Sequence, residues 1–492
     1  MAKGPQFNYV DIRFTTRDSL GIESETASMQ AELCPVVNTV TPRAFYWPFM
    51  VWNYWQYDIK TSQSNEIRNK ECFDKDFLKK NDYFFVLATL LTTSAGEQKN
   101  LVGKDKSQKN LDDDPIGPYK YDEKYFQSTF GGMQYYNAGC FTLGFITDRD
   151  NTGVIYKFPV ITRDYGHPLA EAFDDVIKNT NYYKKYKSVD NCEVSKEELI
   201  EYGNFIKFNL DGFDKCKKLL RDRLFGQPES TFLYKSNLIE SANYLKIIHD
   251  KYGLVLDTKV MREILFDDFS PTGKYGNICD QNSKLGKIIK DWEVVIGRGY
   301  FTIAIEIIWQ YILDFLGKTI SMTKEEWIKE SLNNAQFKDI NLENNVCSII
   351  NKFNFGFDER ESLITTGNKK LNNNIENAIK LLISLYNRFK DRTDINDYLI
   401  KRGSISLMDL INLVDNYKIK TIRDFVVYII DNWIIKKHIE VATRKLYEGR
   451  DGFFFEVIDN NYYQKSTTTP DFQRLRMVAL MQVMEDLDMF RI

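Results

Sequence analysis

Few side chains in this sequence stand at the spacings that catalysis requires. The chain has three histidines, His167, His249 and His438, and none belongs to a His-Glu-x-x-His pattern that could hold zinc. A metal site would therefore need carboxylates, such as Asp291 and Glu293 on a predicted helix. These two residues are either metal ligands or ordinary helix carboxylates. We predict that the protein has no metal site and no cofactor.

Two motif fragments come closer to known catalytic patterns. Gly317-Lys318-Thr319 has the lysine and threonine of a phosphate-binding loop, but Ile312 takes the place of its leading glycine. His249-Asp250-Lys251 is similar to half of a phospholipase-D-type motif, but the expected aspartate is displaced and no second copy exists. We interpret it as a surface pair at a helix end. The sequence favours a protein without catalysis, while cysteine–histidine chemistry stays open because such partners meet in space.

Three basic stretches are candidates for contact with nucleic acid or a protein partner. In residues 182–187 lysines alternate with tyrosines, which can stack bases and pair phosphates or can form a solvated helix end. A second run, residues 215–223, lies on a predicted helix, and a third set brackets a predicted C-terminal hairpin. The candidate binding residues are Lys184, Lys185, Lys187, Lys217, Lys218, Arg221, Lys445 and Arg474.

Residues 41–55 contain seven aromatic side chains and one arginine, Arg43. Such a dense cluster must be buried or must bind a ligand, and beside the preceding helix it predicts the core of an N-terminal module. We expect Arg43 to cap carbonyl groups or to pair with a carboxylate such as Glu23 or Glu25, because an unpaired buried charge is strongly destabilising. Arg43 and Tyr46 are also candidates for recognition.

The composition describes a globular protein. With 492 residues and 43% hydrophobic content, the chain predicts two to four domains or one large helical body. A net charge of −3 gives no global basic field, although local basic faces remain open. The seven cysteines form no Cys-x-x-Cys pair, and the N-terminus lacks the apolar core of a signal peptide. No apolar run reaches the roughly 20 residues of a membrane span. These features predict a cytoplasmic location and no membrane contact.

The fold class predicted from periodicity is mainly α, a multi-helical body with small β hairpins near residues 130–162 and 453–465. Residues 96–123 are polar and predict a long loop, whereas residues 421–448 predict one long helix with a buried apolar stripe. A helix, hairpin and helix at the C-terminal end suggest a winged-helix-like module. Four modules are predicted: residues 1–125, 126–190, 191–418 and 419–492.

Several segments resemble a group of large uncharacterised bacterial proteins that are encoded in antiphage defence islands, often beside helicases, ATPases or phospholipase-D-like nucleases. The similar segments are residues 20–23, 30–35, 38–46, 134–136, 143–144, 166–173 and 438–446, with Trp52, Phe455 and residues 474–475 and 486–487. Residues 190–415 carry little of the resemblance. The group offers no catalytic residues that could be transferred to this chain.

This resemblance and the basic stretches lead to three functional hypotheses. The first is a non-catalytic component of a bacterial antiviral defence complex that binds DNA, RNA or a partner enzyme, namely an ATPase, a helicase or a nuclease. The alternative is a metal-dependent nuclease effector of a defence system with dispersed carboxylates. The third is a purely structural scaffold, whose partner binding would be insensitive to salt.

Overall fold

The fold is known from a computed structural model. It describes residues 13–14, 18–40, 42–64, 67–121, 134–149, 152–190, 192–227, 232–270, 273–276, 283–367, 374–395 and 397–490. The helices are α1 Glu23–Leu33, α2 Tyr46–Ser64, α3 Lys70–Cys72, α4 Lys79–Thr92, α5 Lys104–Asp113, α6 Gln134–Thr142, α7 Gly166–Ile177, α8 Asn181–Lys185, α9 Lys196–Phe205, α10 Asp214–Phe225, α11 Lys235–Tyr252, α12 Thr258–Glu263, α13 Lys284–Leu316, α14 Lys324–Asn334, α15 Phe357–Gly367, α16 Asn374–Phe389, α17 Asp397–Ile400, α18 Leu407–Tyr417, α19 Ile422–Tyr428, α20 Lys436–Tyr447 and α21 Arg476–Asp486.

The strands are β1 Arg13–Phe14, β2 Tyr119–Lys120, β3 Ile146–Arg149, β4 Ile155–Ile161, β5 Glu193–Val194, β6 Arg450–Asp451, β7 Phe455–Ile458 and β8 Asn461–Gln464. Within the described chain they form two-stranded sheets only: β1 with β6 in parallel, and β2 with β5, β3 with β4, and β7 with β8 antiparallel. The predicted mainly α body with small hairpins is therefore confirmed. Residues 130–133 and 150–151, which belong to the first predicted hairpin region, lie outside the described residues.

The chain groups into two compact units, each assembled from two stretches of sequence. Unit 1 comprises Met1–Gln30 and Arg262–Arg474, and unit 2 comprises Ala31–Met261 and Leu475–Ile492. The predicted C-terminal order of helix, hairpin and helix is present, but the hairpin belongs to unit 1 and α21 to unit 2. The division into four modules, one boundary of which lies at residue 125 outside the described residues, stays a prediction.

Unit 2 is built around α2, which packs against α6 and α7. Its N-terminal half is apolar around the whole helix because it is enclosed on every side. Phe45 stacks on Phe85 at 4.5 Å between ring centroids, and Phe49 stacks on Trp52 at 6.0 Å. The four rings are fully buried. The aromatic segment is thus core, as the sequence predicted, except that Thr41 lies outside the described residues.

Unit 1 is built around α13, a helix of 33 residues that packs against α14, α16, α17 and α18. Ser283 caps its first turn by accepting the N–H of Gly286 at 2.9 Å, the usual role of serine at this position. At Gly297 a Cβ atom would lie 2.6 Å from Phe389 Cε2, so the glycine lets the ring of α16 approach the helix backbone.

One helix of the described chain, α13, is long and apolar enough to cross a membrane by length and composition. Yet 83% of its most apolar window is buried inside the protein. Such burial is typical of a core helix. A core helix can be as long and as apolar as a membrane span.

Three local predictions need correction. Residues 104–113 were expected in a loop but form α5, whose inward side chains are only Ser107 and Leu111, so almost no apolar period marks the helix. The hairpin predicted near residues 130–162 occupies only residues 146–161, and residues 134–142 form α6. The long C-terminal helix is present, but a π-helical segment, Ile429–Ile435, separates α19 from α20.

Candidate functional site: a basic pocket in unit 2

Arg43 is a buried structural arginine. Its Nε donates to Asp486 Oδ2 at 2.9 Å, Nη1 donates to the carbonyl of Lys99 at 3.1 Å, and Nη2 donates to the carbonyl of Phe208 at 3.2 Å. Carbonyl capping and a carboxylate partner were predicted as alternatives, and Arg43 makes both kinds of contact, but the carboxylate is Asp486 instead of Glu23 or Glu25. Burial raises the pKa of Asp486, and the Arg43 guanidinium opposes this shift.

Tyr46 is enclosed in the same core. Its hydroxyl oxygen accepts the N–H of Val102 at 3.0 Å, and its ring centroid lies 4.7 Å from that of Tyr136. Both Arg43 and Tyr46 are buried. Their predicted role in recognition therefore lacks an exposed surface, and both act instead in holding unit 2 together.

The predicted stretch at residues 182–187 is largely occupied by internal contacts. Lys185 pairs with Glu198 at 2.7 Å. Lys187 donates to Gln56 Oε1 at 2.5 Å and lies 3.6 Å over the ring of Tyr183, and burial lowers its pKa to about 8. Lys184 is exposed. The tyrosines between these lysines are thus engaged by the protein itself rather than arranged as a platform for bases.

Part of the basic helix α10 holds the last residues of the described chain. Lys217 is buried and pairs with Asp488 at 2.7 Å, and Arg221 donates to the carbonyl of Leu487 at 2.8 Å. Lys218 is exposed on the same helix. The two remaining candidate binding residues lie in unit 1. Lys445 is held internally, since it donates to the carbonyl of Asp18 at 2.9 Å, whereas Arg474 is exposed.

The structure reveals a basic cavity that the sequence did not indicate. It has a volume of about 930 Å³ and lies between the end of α6, the hairpin β3–β4 and the segment that leads into α7. Arg149, Arg163 and Arg223 line it, with Asp164 as its one carboxylate, so the lining carries a formal charge of +2. We call this cavity the hairpin pocket. Its volume is within the range of pockets that hold small ligands.

Arg223 forms the buried wall of the hairpin pocket. It is 6% exposed, its Nε donates to the carbonyl of Leu143 at 2.5 Å, and its guanidinium carbon lies 3.9 Å from the ring centroid of Tyr165. Stacking of this kind is favourable between a guanidinium and an aromatic face. The side chain is therefore held in one place, as a group that must present its charge to a ligand should be.

Gly144 ends α6 and leaves room for Arg223. The Gly144 N–H donates to the carbonyl of Phe141 at 2.9 Å and the Phe145 N–H to that of Cys140 at 2.9 Å, the pair of bonds that ends many helices at a glycine. The φ of Gly144 is +67°, and a Cβ there would lie 3.1 Å from Arg223 Nη2. A glycine is thus needed both for the turn and for the space beside the guanidinium.

Thr162 fastens the opposite wall. Its hydroxyl donates to the carbonyl of Gly144 at 2.6 Å and accepts the N–H of Gly166 at 3.0 Å, where α7 begins. A Cβ at Gly166 would lie 2.1 Å from the carbonyl oxygen of Phe145, so only glycine permits this approach of the two segments. These contacts fix the backbone around the pocket, while Arg149 and Arg163 lie exposed at its rim.

The arrangement can bind an anion, and the described residues offer no metal centre. Among them, no three His, Cys, Asp or Glu side chains come together in a group that could hold a metal ion. Asp291 is buried, and Glu293 pairs with Arg388 at 2.8 Å and Arg392 at 3.1 Å. These two carboxylates are parts of unit 1 rather than of the pocket.

The comparisons with known proteins leave the pocket to be judged by its own chemistry. No family model, no curated protein and no solved structure matches this chain.

Proposed function

We propose that this protein is a nucleic-acid-binding, non-catalytic component of a bacterial antiviral defence complex, and that the hairpin pocket is its nucleic-acid contact. The observation that carries the proposal is the convergence of Arg149, Arg163 and Arg223 on one cavity of about 930 Å³. Arginine presents a planar fork of donors that matches phosphate oxygens, and its charge persists at every physiological pH. The phosphodiester backbone of a nucleic-acid strand offers such phosphate oxygens.

Two features of the pocket support this choice over a structural ion-pair cluster. A structural cluster pairs its charges, as Arg262 and Glu361 do in unit 1 at 2.6 Å. In the hairpin pocket three arginines face one lining carboxylate, Asp164, and the neighbouring Asp148 pairs with Arg149 only at 3.8 Å, with both side chains exposed. The protein also places two of these arginines at an exposed rim, where the charge reaches solvent. The membership in a complex with an ATPase, helicase or nuclease rests on the resemblance to defence-island proteins.

The test is a binding titration with labelled 20-nucleotide DNA and RNA, single-stranded and duplex, over a series of salt concentrations. We expect Arg149→Ala/Arg163→Ala to weaken binding at least tenfold. The slope of log affinity against log salt should fall by roughly 0.7 to 0.9 for each phosphate that the variant no longer neutralises. The matched control is Lys99→Ala/Lys109→Ala, which removes two exposed positive charges from unit 2 outside the pocket.

Two results would contradict the proposal. One is the absence of binding to every oligonucleotide at low salt. The other is an equal reduction of affinity in the arginine variant and in the lysine control, since this would assign binding to overall charge rather than to the pocket. The partner assignment is tested separately, by co-purification of the tagged chain with the products of its neighbouring genes. Recovery of none of these products would contradict it.

A further inference from the structure

The hairpin pocket has aromatic as well as basic walls. Tyr156 and Tyr165 line it together with the arginines, and they are 38% and 41% exposed. The face of Tyr165 already carries Arg223 at 3.9 Å. Tyr156 has no aromatic or cation–π partner among the described residues and is partly exposed, so it can present part of its ring to a ligand.

We infer that the hairpin pocket selects single-stranded nucleic acid by taking in one unpaired nucleotide, with its base on Tyr156 and its phosphate on the arginines. This inference rests on the proposed function and deepens it. An aromatic face stacks on any base whose own face is free, and in a duplex the faces are covered by neighbouring base pairs. A cavity of about 930 Å³ has room for a nucleotide but does not admit a double helix.

The positions of the charged groups suit this mode of binding. Arg149 ends β3 before the hairpin turn, Arg163 follows β4, and Arg223 stands behind them in the wall. Lys218 is also exposed on α10, but it lies five residues before Arg223 and therefore about 140° around the helix, so it is not part of this site.

The experiment measures competition against a labelled single-stranded 20-mer with the full-length protein. Competitors are the unlabelled strand, the duplex of the same sequence and a free mononucleotide. We expect the unlabelled strand to compete at least tenfold better than either of the others. Tyr156→Ala should weaken binding of the strand about tenfold, as expected for removal of one stacking platform. Tyr156→Phe should retain affinity because stacking needs only the ring, and Tyr447→Ala, which removes a ring that is 90% exposed in unit 1, is the control.

The outcomes separate this inference from the proposed function. Equal competition by strand and duplex, or unchanged affinity in Tyr156→Ala, would overturn the inference and leave nucleic-acid binding in place. Competition by the mononucleotide as effective as that of the strand would overturn it in favour of a small-molecule nucleotide site. Failure of every nucleic acid to bind would remove the proposed function as well.

Discussion

Arg43 and Asp486 stand 443 positions apart in the sequence and meet inside unit 2 in a buried ion pair of 2.9 Å. The same Asp486 oxygen also accepts the backbone N–H of Ala44 at 3.0 Å, so one carboxylate holds the start of α2 through a side chain and through the main chain. The pair fixes α21 to the aromatic core. It is a structural contact, and its energetic role can be measured directly.

Arg43→Ala should strongly destabilise unit 2. The substitution leaves the buried carboxyl group of Asp486 without its charge partner, and breaking a buried pair in this way costs about 3–5 kcal/mol of unfolding free energy. Adding Asp486→Asn should restore part of this stability, because the unpaired carboxyl group is then removed. Unfolding in denaturant, followed by tryptophan fluorescence, measures both. Lys185→Ala, which disrupts an exposed ion pair in the same unit, should leave the midpoint nearly unchanged; equal effects of Arg43→Ala and Lys185→Ala would disprove this role.

Gly144→Ala should impair ligand binding more than its effect on stability explains. Any L-residue at a φ of +67° is strained by about 1–2 kcal/mol, and here the new methyl group would also press on Arg223 Nη2 at 3.1 Å. Gly153→Ala is the matched control, since Gly153 has a φ of +87° with nothing within 4 Å of its Cβ position. Melting temperature and strand affinity are measured for both. Affinity reduced to the same degree in both variants would show that the space beside Arg223 is irrelevant.

Asp82→Asn should change the dependence of stability on pH. Burial raises the pKa of Asp82 to about 8 from its usual 3.8, so between these values the folded protein holds a proton that the unfolded chain lacks. Stability therefore decreases as pH rises through this window, by about 4 kcal/mol at pH 7. The asparagine variant lacks this titration and should melt above the natural chain at pH 8 but not at pH 4. Asp211→Asn, an exposed site, is the control, and parallel pH profiles for all three proteins would refute the assignment.

His438 should make the folded protein less stable as pH falls, which is the opposite pH dependence to that of Asp82. The ring is fully buried in unit 1, its Nδ1 lies 3.1 Å from the carbonyl of Ser19, and its Nε2 accepts the N–H of Phe454 at 3.0 Å. A neutral ring satisfies both contacts, and burial lowers the pKa of His438 to about 4. The unfolded chain thus takes up a proton first, and stability decreases by about 3 kcal/mol as pH falls from 6.5 to 4.

The measurement for His438 is thermal melting between pH 4 and pH 7. His438→Gln keeps a donor and an acceptor but does not titrate, so its melting temperature should vary less over this interval than that of the natural chain. His167, whose side chain is 44% exposed, is changed to Gln as the control. Curves of equal steepness for the natural chain and His438→Gln would contradict the prediction.

The sequence predicted what depends on local pattern. The aromatic stretch around Tyr46 indicated a core because its rings are adjacent, and apolar stripes indicated most helices. It could also predict that Arg43 needs partners, because a buried guanidinium must be satisfied. The sequence could not identify Asp486 as the partner, because the two residues are 443 positions apart and only the tertiary fold brings them together. Helix α5 was missed because only two of its side chains turn inward.

The hairpin pocket shows the same limit for the candidate site. Arg149, Arg163 and Arg223 are too far apart in sequence to form a basic run, and only Arg223 belonged to one. They come together because β3 and β4 form a hairpin and because α10 packs against α7. Conversely, the closely spaced basic residues of α10 predicted a binding surface, yet Lys217 and Arg221 bind residues 487–488 of the same chain.

The anchoring of residues 486–488 by Arg43, Lys217 and Arg221 has a consequence for biosynthesis. All of residues 262–474 are translated between the two stretches of unit 2, so the earlier stretch emerges from the ribosome without its final helix. At about 5–20 residues per second, this delay lasts roughly 10 to 40 seconds. During that time Arg43 has no carboxylate partner. Unit 2 can therefore complete its fold only after residues 475–490 have emerged.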